Sequence, residues 1–234
     1  IEATWNSERA ENRAALLEML AINLSMADEP FLEAALDDRS KEVRANAVDL
    51  LVRLPQSRLV QRMIDRLETL MHWLPPEKPR FLGLLQSHDG QLTVFLPDAC
   101  DKAMIRDGVD PKPPRGSQGL GERAQWLMQM LQSIPPAHWS DRWRAAPDKL
   151  ITAAEESEWA AAVLPAWVTA TWRARDVAWA EALLQRDPSR DGLLEVLPID
   201  RQEALLKQIL TTLDRPLSEH PVLGLLRRTR HTCR

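Results

Sequence analysis

The segment Gly116-Ser117-Gln118-Gly119-Leu120-Gly121 comes nearest to a recognisable chemistry. It precedes a helical pattern and follows Lys112 and Arg115. Backbone N–H groups at a helix start, with two cations nearby, can cradle a phosphate. The spacing fits neither a Walker A loop nor a dinucleotide fingerprint, and no Lys-Ser/Thr follows the last glycine. A flexible loop closed by a helix cap is the preferred reading. Cys100 beside Asp101 and Lys102 could be an activated thiol at a helix start. It has no CxxC partner and no histidine close in sequence, so a buried small side chain is the default. His72, His88, His138, His220 and His231 are scattered and show no metal-ligand spacing such as HExxH. There is no GxSxG elbow, and acid pairs such as Asp37-Asp38 and Glu155-Glu156 read as ordinary helix-end charge. The segment from Leu226 to Arg234 is basic without an acid; a frayed tail is preferred over a nucleic-acid contact. No catalytic, cofactor-binding or metal-ligating residue is expected, and no cofactor.

The elements that would position any site are helical. A first helix is expected from about Glu8 to Leu24, with Asn6 or Ser7 as cap and Leu16, Leu17, Leu20 and Leu24 on one face. Ser25-Met26-Ala27-Asp28 resembles a capping box and opens a short helix with Phe31, Leu32, Ala35 and Leu36. Ser40 caps Lys41 to Leu54, where Val43, Ala47, Leu50, Leu51 and Leu54 share a face. Ser57 opens another helix, with Val60, Met63, Ile64, Leu67, Leu70, Met71 and Leu74 inward until Pro75-Pro76. Then the period changes. Leu92, Val94 and Leu96 alternate with Gln91, Thr93 and Phe95, and His88-Asp89-Gly90 separates them from the run Phe81 to Leu85. Asp-Gly between apolar runs predicts a hairpin.

A short helix is expected from Asp98 to Arg106, closed by Gly108. The loop from Val109 to Gly121 follows, with three prolines and three glycines. It is the candidate mobile or functional segment, and Asp110, Lys112 and Arg115 are its candidate partner-contact residues or hinge. Further helices are expected over Glu122 to Ile134, around Trp139 to Trp143 and after Pro147. Three more follow, from Ser157 to about Arg173 through a kink at Pro165, from Val177 to Gln185 after Asp176, and from an Asp200-x-x-Glu203 box to about Leu213. Pro221 is placed to start a last one. Three segments result: N-terminal helices over 1–79, the hairpin, short helix and loop over 80–121, and a C-terminal helical layer over 122–234. They form one continuous unit in this reading.

With 234 residues, 44% apolar and 27% charged, the chain can bury a sizeable core. The net charge of −4 argues against general nucleic-acid binding. Nine Trp, three Phe and no Tyr make an unusual aromatic set. Six of the nine Trp lie between Trp139 and Trp179, with Trp126 just before them. Filling helix interfaces is the preferred role, and a stacking surface for bases or peptide side chains the alternative. Two unpatterned cysteines, Cys100 and Cys233, suggest a reducing, cytoplasmic compartment. No apolar run approaches the ~20 residues of a membrane span. The start at Ile1-Glu2-Ala3 has no basic leader and no apolar signal core, so no export is expected, and its lack of an initiator Met is as expected for a processed product or part of a longer protein.

The stretch from Leu36 to Leu51 resembles a HEAT repeat at the turn and second helix. Asp38 sits in the interhelical turn, and Val43-Arg44 follow one turn into the helix. Asp38 can accept bonds from helix N–H groups, and Arg44 can reach the Asp of an adjacent repeat. Together they would form a structural ladder, although the period does not recur clearly elsewhere. Three further stretches are similar to an uncharacterised bacterial family with HEAT-like helices. They are Asp28-Glu29-Pro30-Phe31-Leu32-Glu33 running into Val43-Arg44, Leu96 to Asp101 with Arg106-Asp107-Gly108, and Gly119 to Ala124 with Pro135 to Trp139. The resemblance implies a longer protein with more helices. It also implies a partner protein, since such members are often encoded beside MoxR-type AAA+ ATPases and von Willebrand A-type proteins.

The expected fold is all-α, a HEAT-like α-solenoid stack with a small β-hairpin insertion. Such stacks bind macromolecules along an extended surface. A non-enzymatic scaffold or adaptor with a protein partner is therefore preferred. A HEAT-like DNA glycosylase, using Trp, Arg and a catalytic Asp, is the alternative.

Overall fold

The structure is a computed structural model that describes residues 5, 7–76, 90–112 and 120–211. The run Phe81 to Leu85, the turn residues His88 and Asp89, the glycine-rich segment from Gly116 to Gly119, Arg115, the Pro221 helix and the basic tail lie outside them. The described chain is mostly helical, with one two-stranded antiparallel sheet. It divides into two compact units: Ile1–His72 with Val94–Ile134, and Trp73–Thr93 with Pro135–Arg234.

In the first unit, α1 (Ala10–Leu20) and α2 (Glu29–Ala35) both pack on α3 (Lys41–Leu51), and α4 (Arg58–Leu70) packs on α3 and on α6 (Glu122–Leu131). Leu17, Leu32, Val43, Ala47, Leu51, Leu59, Met63 and Leu127 are fully buried there. The first helix is shorter than its apolar pattern suggests: after Leu20 the chain tightens into a 3-10 turn, Ala21–Asn23. Ser25 and Asp28 do pair, the Ser25 N–H donating to Asp28 Oδ2 at 2.9 Å. Ser57 caps α4 by accepting from the Val60 N–H at 3.2 Å, while its hydroxyl donates to the Leu51 carbonyl at 2.9 Å. One buried side chain thus ends α3 and starts α4.

The helical pattern carried through Met71 and Leu74 is overturned. Met71–Leu74 is strand β1, paired with β2 (Gln91–Val94). Pro75 pushes Leu74 out of the α region, and pairing with β2 gives the Met71–Leu74 backbone a ladder in place of a further helical turn. The Phe95 N–H then donates to the Leu70 carbonyl at 2.7 Å. Gly90, at φ +107°, lies against Trp73, where a Cβ would overlap the ring.

In the second unit, α10 (Val177–Arg186) packs against α8 (Pro147–Glu155), α9 (Ala160–Ala174) and a 3-10 segment, Asp191–Val196. Trp139, on α7 (Ala137–Trp143), is fully buried, as are Trp167 and Trp179. Helix α9 runs through Pro165. Asp176 caps α10 through the Trp179 N–H at 3.1 Å. Helix α11 (Ile199–Thr211) starts one residue before the expected cap, so Asp200 lies in its first turn, where its negative charge is favourable at the positive end of the helix dipole. No described helix is long and apolar enough to cross a membrane.

Candidate functional site

The residues of the HEAT-like turn come together. Arg13, on α1, binds Asp38 through two parallel bonds, Nε to Oδ2 and Nη2 to Oδ1, both 2.9 Å. The two side chains are 3% and 7% exposed. Asp38 Oδ1 also accepts the Ser40 N–H at 2.8 Å, just ahead of α3. Burial alone would raise the Asp38 carboxyl, but the Arg13 and Ser40 bonds and the Arg13 charge hold it below the ordinary carboxylate value. Arg44 donates to the main-chain carbonyl of Asp38 at 2.6 Å, and Val43 is fully buried on the inner face of α3. The carboxylate therefore takes its guanidinium from α1, and Arg44 closes the turn through its backbone.

Beside this turn lies a charge cluster that the apolar pattern hides. Glu29, Glu33 and Asp37 recur every fourth residue along α2 and its exit, and Arg58, Arg62 and Arg66 do the same along α4. Glu29 binds Arg58 at 2.9 Å, and Glu33 binds Arg62 at 2.9 Å. A short helix, α5 (Lys102–Arg106), completes the set. Asp101 caps it through the Met104 N–H at 2.7 Å. Gly108, at φ +92°, ends it where a Cβ would meet Val48 at 2.8 Å. Arg106 thereby reaches Glu33 and both oxygens of Asp37 at 2.8–2.9 Å. Asp107, 1% exposed, takes Arg62 and Arg66 at 2.6 Å each. The Arg58 bond holds Glu29 below its usual value, and the Arg106 bond does the same for Asp37.

Four carboxylates and four guanidiniums sum to zero charge, so the cluster needs no metal or anion for neutrality. Glu33 Oε2 is buried without a hydrogen-bond partner. Carboxylates hydrogen-bonded to arginines are poor general bases, because the paired guanidinium favours the ionised form and so weakens its pull on a proton. Among the described residues, no group of three or more His, Cys, Asp and Glu side chains could hold a metal ion.

An open groove of about 430 Å³ adjoins both features. Trp5, Pro30, Phe31, Ala34 and Ala35 line it together with Asp37 and Asp38. The Trp5 and Phe31 rings meet edge-on, with centroids 4.9 Å apart at 79°. The Arg13 guanidinium sits 5.8 Å from the Trp5 ring centre.

The loop residues lie elsewhere in the first unit. The Asp110 N–H donates to Gln129 Oε1 on α6 at 2.8 Å, and Trp126 donates to the Pro111 carbonyl at 3.4 Å. Asp110 faces Lys41 at 3.5 Å, and its Oδ1 accepts the Lys112 N–H at 3.0 Å. Lys112 is exposed, and Arg115 is outside the described residues. Both described flanks of the loop belong to the first unit. Burial, then the Asp101 and Asp110 carboxylates, push the Cys100 thiol above its ordinary value, the opposite of activation. Trp126, Trp139, Trp167 and Trp179 are buried and cannot stack on an outside ligand, whereas Trp172 is half exposed.

No curated protein and no solved structure matches the chain. The family model that does match covers residues 1–232, and the chain therefore belongs to DUF5691, a family of unknown function.

Proposed function

We propose that this chain is a non-enzymatic helical-repeat scaffold or adaptor that binds another protein, with the binding face on the first unit. The observation that carries this reading is the groove at the Trp5–Phe31 pair. It is open, its rings offer rigid apolar area, and its carboxylates are fixed in place by arginines behind them. Preorganised aromatic pockets with anchored polar groups are where protein interfaces concentrate their affinity. The Asp38–Arg13 pair and the buried Val43 support a HEAT-like turn, and stacked turns of that kind present such faces in series. The resemblance to members encoded beside MoxR-type AAA+ ATPases names the partner class to try first. The compartment consistent with this reading is the cytoplasm.

The test is affinity capture from the native bacterium, identification of the retained protein by mass spectrometry, and reconstitution from purified components. Phe31→Glu serves as the groove variant. Direct binding that Phe31→Glu weakens at least about tenfold supports the reading, since truncating or inverting an interface anchor costs that much. Binding untouched by Phe31→Glu places the interface elsewhere and removes this face from the proposal.

A further inference from the structure

We infer that the Trp5–Phe31 groove receives a lysine or arginine side chain of the partner protein, an inference that rests on the groove being a protein-binding face. Among the described residues that line the groove, the polar ones are the acids Asp37 and Asp38, and none is cationic. The guanidiniums that neutralise them, Arg106 and Arg13, are outside the lining. Asp37 is the carboxylate exposed at the groove, whereas the Asp38 side chain, 7% exposed, is covered behind it.

Asp37 is 64% exposed although both its oxygens already accept from Arg106. An ionised carboxylate has about four acceptor positions, so Asp37 can take further donors without releasing Arg106. Both carboxylates are held ionised by their arginines, so the groove keeps its charge below neutral pH.

The aromatic side of the groove favours the same guest. Cations are drawn to indole and phenyl faces, and the Trp5 ring already has one guanidinium beside it, that of Arg13. The apolar surface of Phe31, Pro30 and Ala34 suits the methylene stem of a long basic side chain, whose charged end would then meet Asp37. A carboxylate or phosphate guest would meet like charge. A purely apolar guest would cover Asp37 without giving it a donor.

The probes are three blocked tripeptides with a central Arg, Lys or Gln between glycines, titrated into the isotope-labelled full chain. The readout is the Trp5 indole N–H resonance, assigned by its loss in Trp5→Phe. The Arg and Lys peptides should give a saturable shift that the Gln peptide does not. Phe31→Ala should weaken that binding by about two- to fivefold, the range of an exposed cation–π contact. Asp37→Asn should weaken it further, with added salt acting in the same direction. An equal shift from the Gln peptide, or no saturable shift from Arg and Lys, overturns the inference. The wild-type titration decides the matter even if a variant fails to fold. If the reconstituted partner loses affinity with Phe31→Glu while the tripeptides leave Trp5 unmoved, the protein-binding reading stands and the basic guest alone is wrong. If the partner ignores Phe31→Glu, the binding-face reading has failed first.

Discussion

The two units are held by different interactions. In the first, Arg13, Glu29, Glu33 and Asp107 are buried, and each is paired with an opposite charge. In the second, the large buried side chains are indoles: Trp139, Trp167 and Trp179. Trp167 and Trp179 meet edge-on at 4.9 Å, and Trp139 lies 4.8 Å from Trp143. The ion pairs described in the second unit are more exposed, as with Arg186–Glu155 and Arg201–Glu181. Indoles stabilise through area and dispersion, which are indifferent to pH. Buried ion pairs fix geometry, and they are costly when one member is removed. Fixed carboxylates are also what the groove requires, so the charged architecture and the candidate binding face occupy the same unit.

The strongest way to break this contrast is to orphan a charge. Arg13→Met leaves the Asp38 carboxylate buried and unpaired, and should cost about 3–5 kcal/mol. Adding Asp38→Asn should recover part of that loss, because the orphaned charge is then gone. Denaturant midpoints of the single and double variants measure both. Equal losses in the two would mean that Arg13 acts by packing on Trp5 rather than by charge.

The matching cut in the second unit is Trp167→Ala, also about 3–5 kcal/mol, through the cavity it leaves. Conservative changes sharpen the comparison. Trp179 Nε1 donates to Ser140 Oγ at 3.1 Å, whereas Trp167 Nε1 is buried without a partner. Trp179→Phe should therefore cost about 1 kcal/mol more than Trp167→Phe, the net worth of one hydrogen bond. Equal losses would show that ring volume alone decides stability there.

Acid should separate the units next. Glu29, Asp37 and Asp38 in the first unit have folded values below the ordinary ones, through the bonds from Arg58, Arg106 and Arg13. A depressed carboxylate contributes stability that is fully present above its unfolded value. That contribution is lost as pH falls through the folded value. Below about pH 4, where unfolded Asp and Glu begin to bind protons, amide exchange protection should fall faster in the first unit than in the second. In the second unit Asp187 is shifted the same way: burial, which would raise it, is outweighed by the Ser189 bonds and Arg190. The contrast is therefore one of degree, and parallel loss of protection would remove it.

The sequence made some of this legible and hid the rest for physical reasons. Asp38 with Val43-Arg44 reads in the sequence as a helix–helix turn, and in the structure Asp38 accepts the Ser40 N–H just ahead of α3 while Val43 faces inward. The alternation at Leu92 and Val94 marks β2 because one face of the strand is buried. Its partner β1 is disguised, since Leu67, Leu70, Met71 and Leu74 continue a helical period, and the following prolines constrain only its last residue. The fourfold spacing of Glu29, Glu33 and Asp37, and of Arg58, Arg62 and Arg66, is also visible in the sequence. Which acid meets which arginine is not, because α2 and α4 are brought together by their apolar faces on α3. Arg106 joins from 69 residues beyond Asp37, and Asp107 from 45 beyond Arg62, through a turn set by Gly108. The groove depends on that same packing, with Trp5 meeting Phe31 only after α2 is placed.

Arg44 gives the smallest effect and the finest test. It is half-buried and bonds the Asp38 carbonyl, a neutral acceptor, at 2.6 Å. Arg44→Ala should lower stability by about 1–2 kcal/mol, the cost of one charge-assisted hydrogen bond in a part-buried turn. Its dependence on pH is the discriminating feature. The carbonyl does not titrate, so the Arg44→Ala loss should stay constant from neutral pH down through the range where Asp38 takes up a proton. The loss from Arg13→Met should shrink over that range, because a protonated Asp38 no longer needs its guanidinium. Midpoints for the two variants at a series of pH values would show one flat line and one falling line. If the Arg44→Ala line falls as well, Arg44 acts on the Asp38 charge itself, and the turn is closed by electrostatics and not by its backbone.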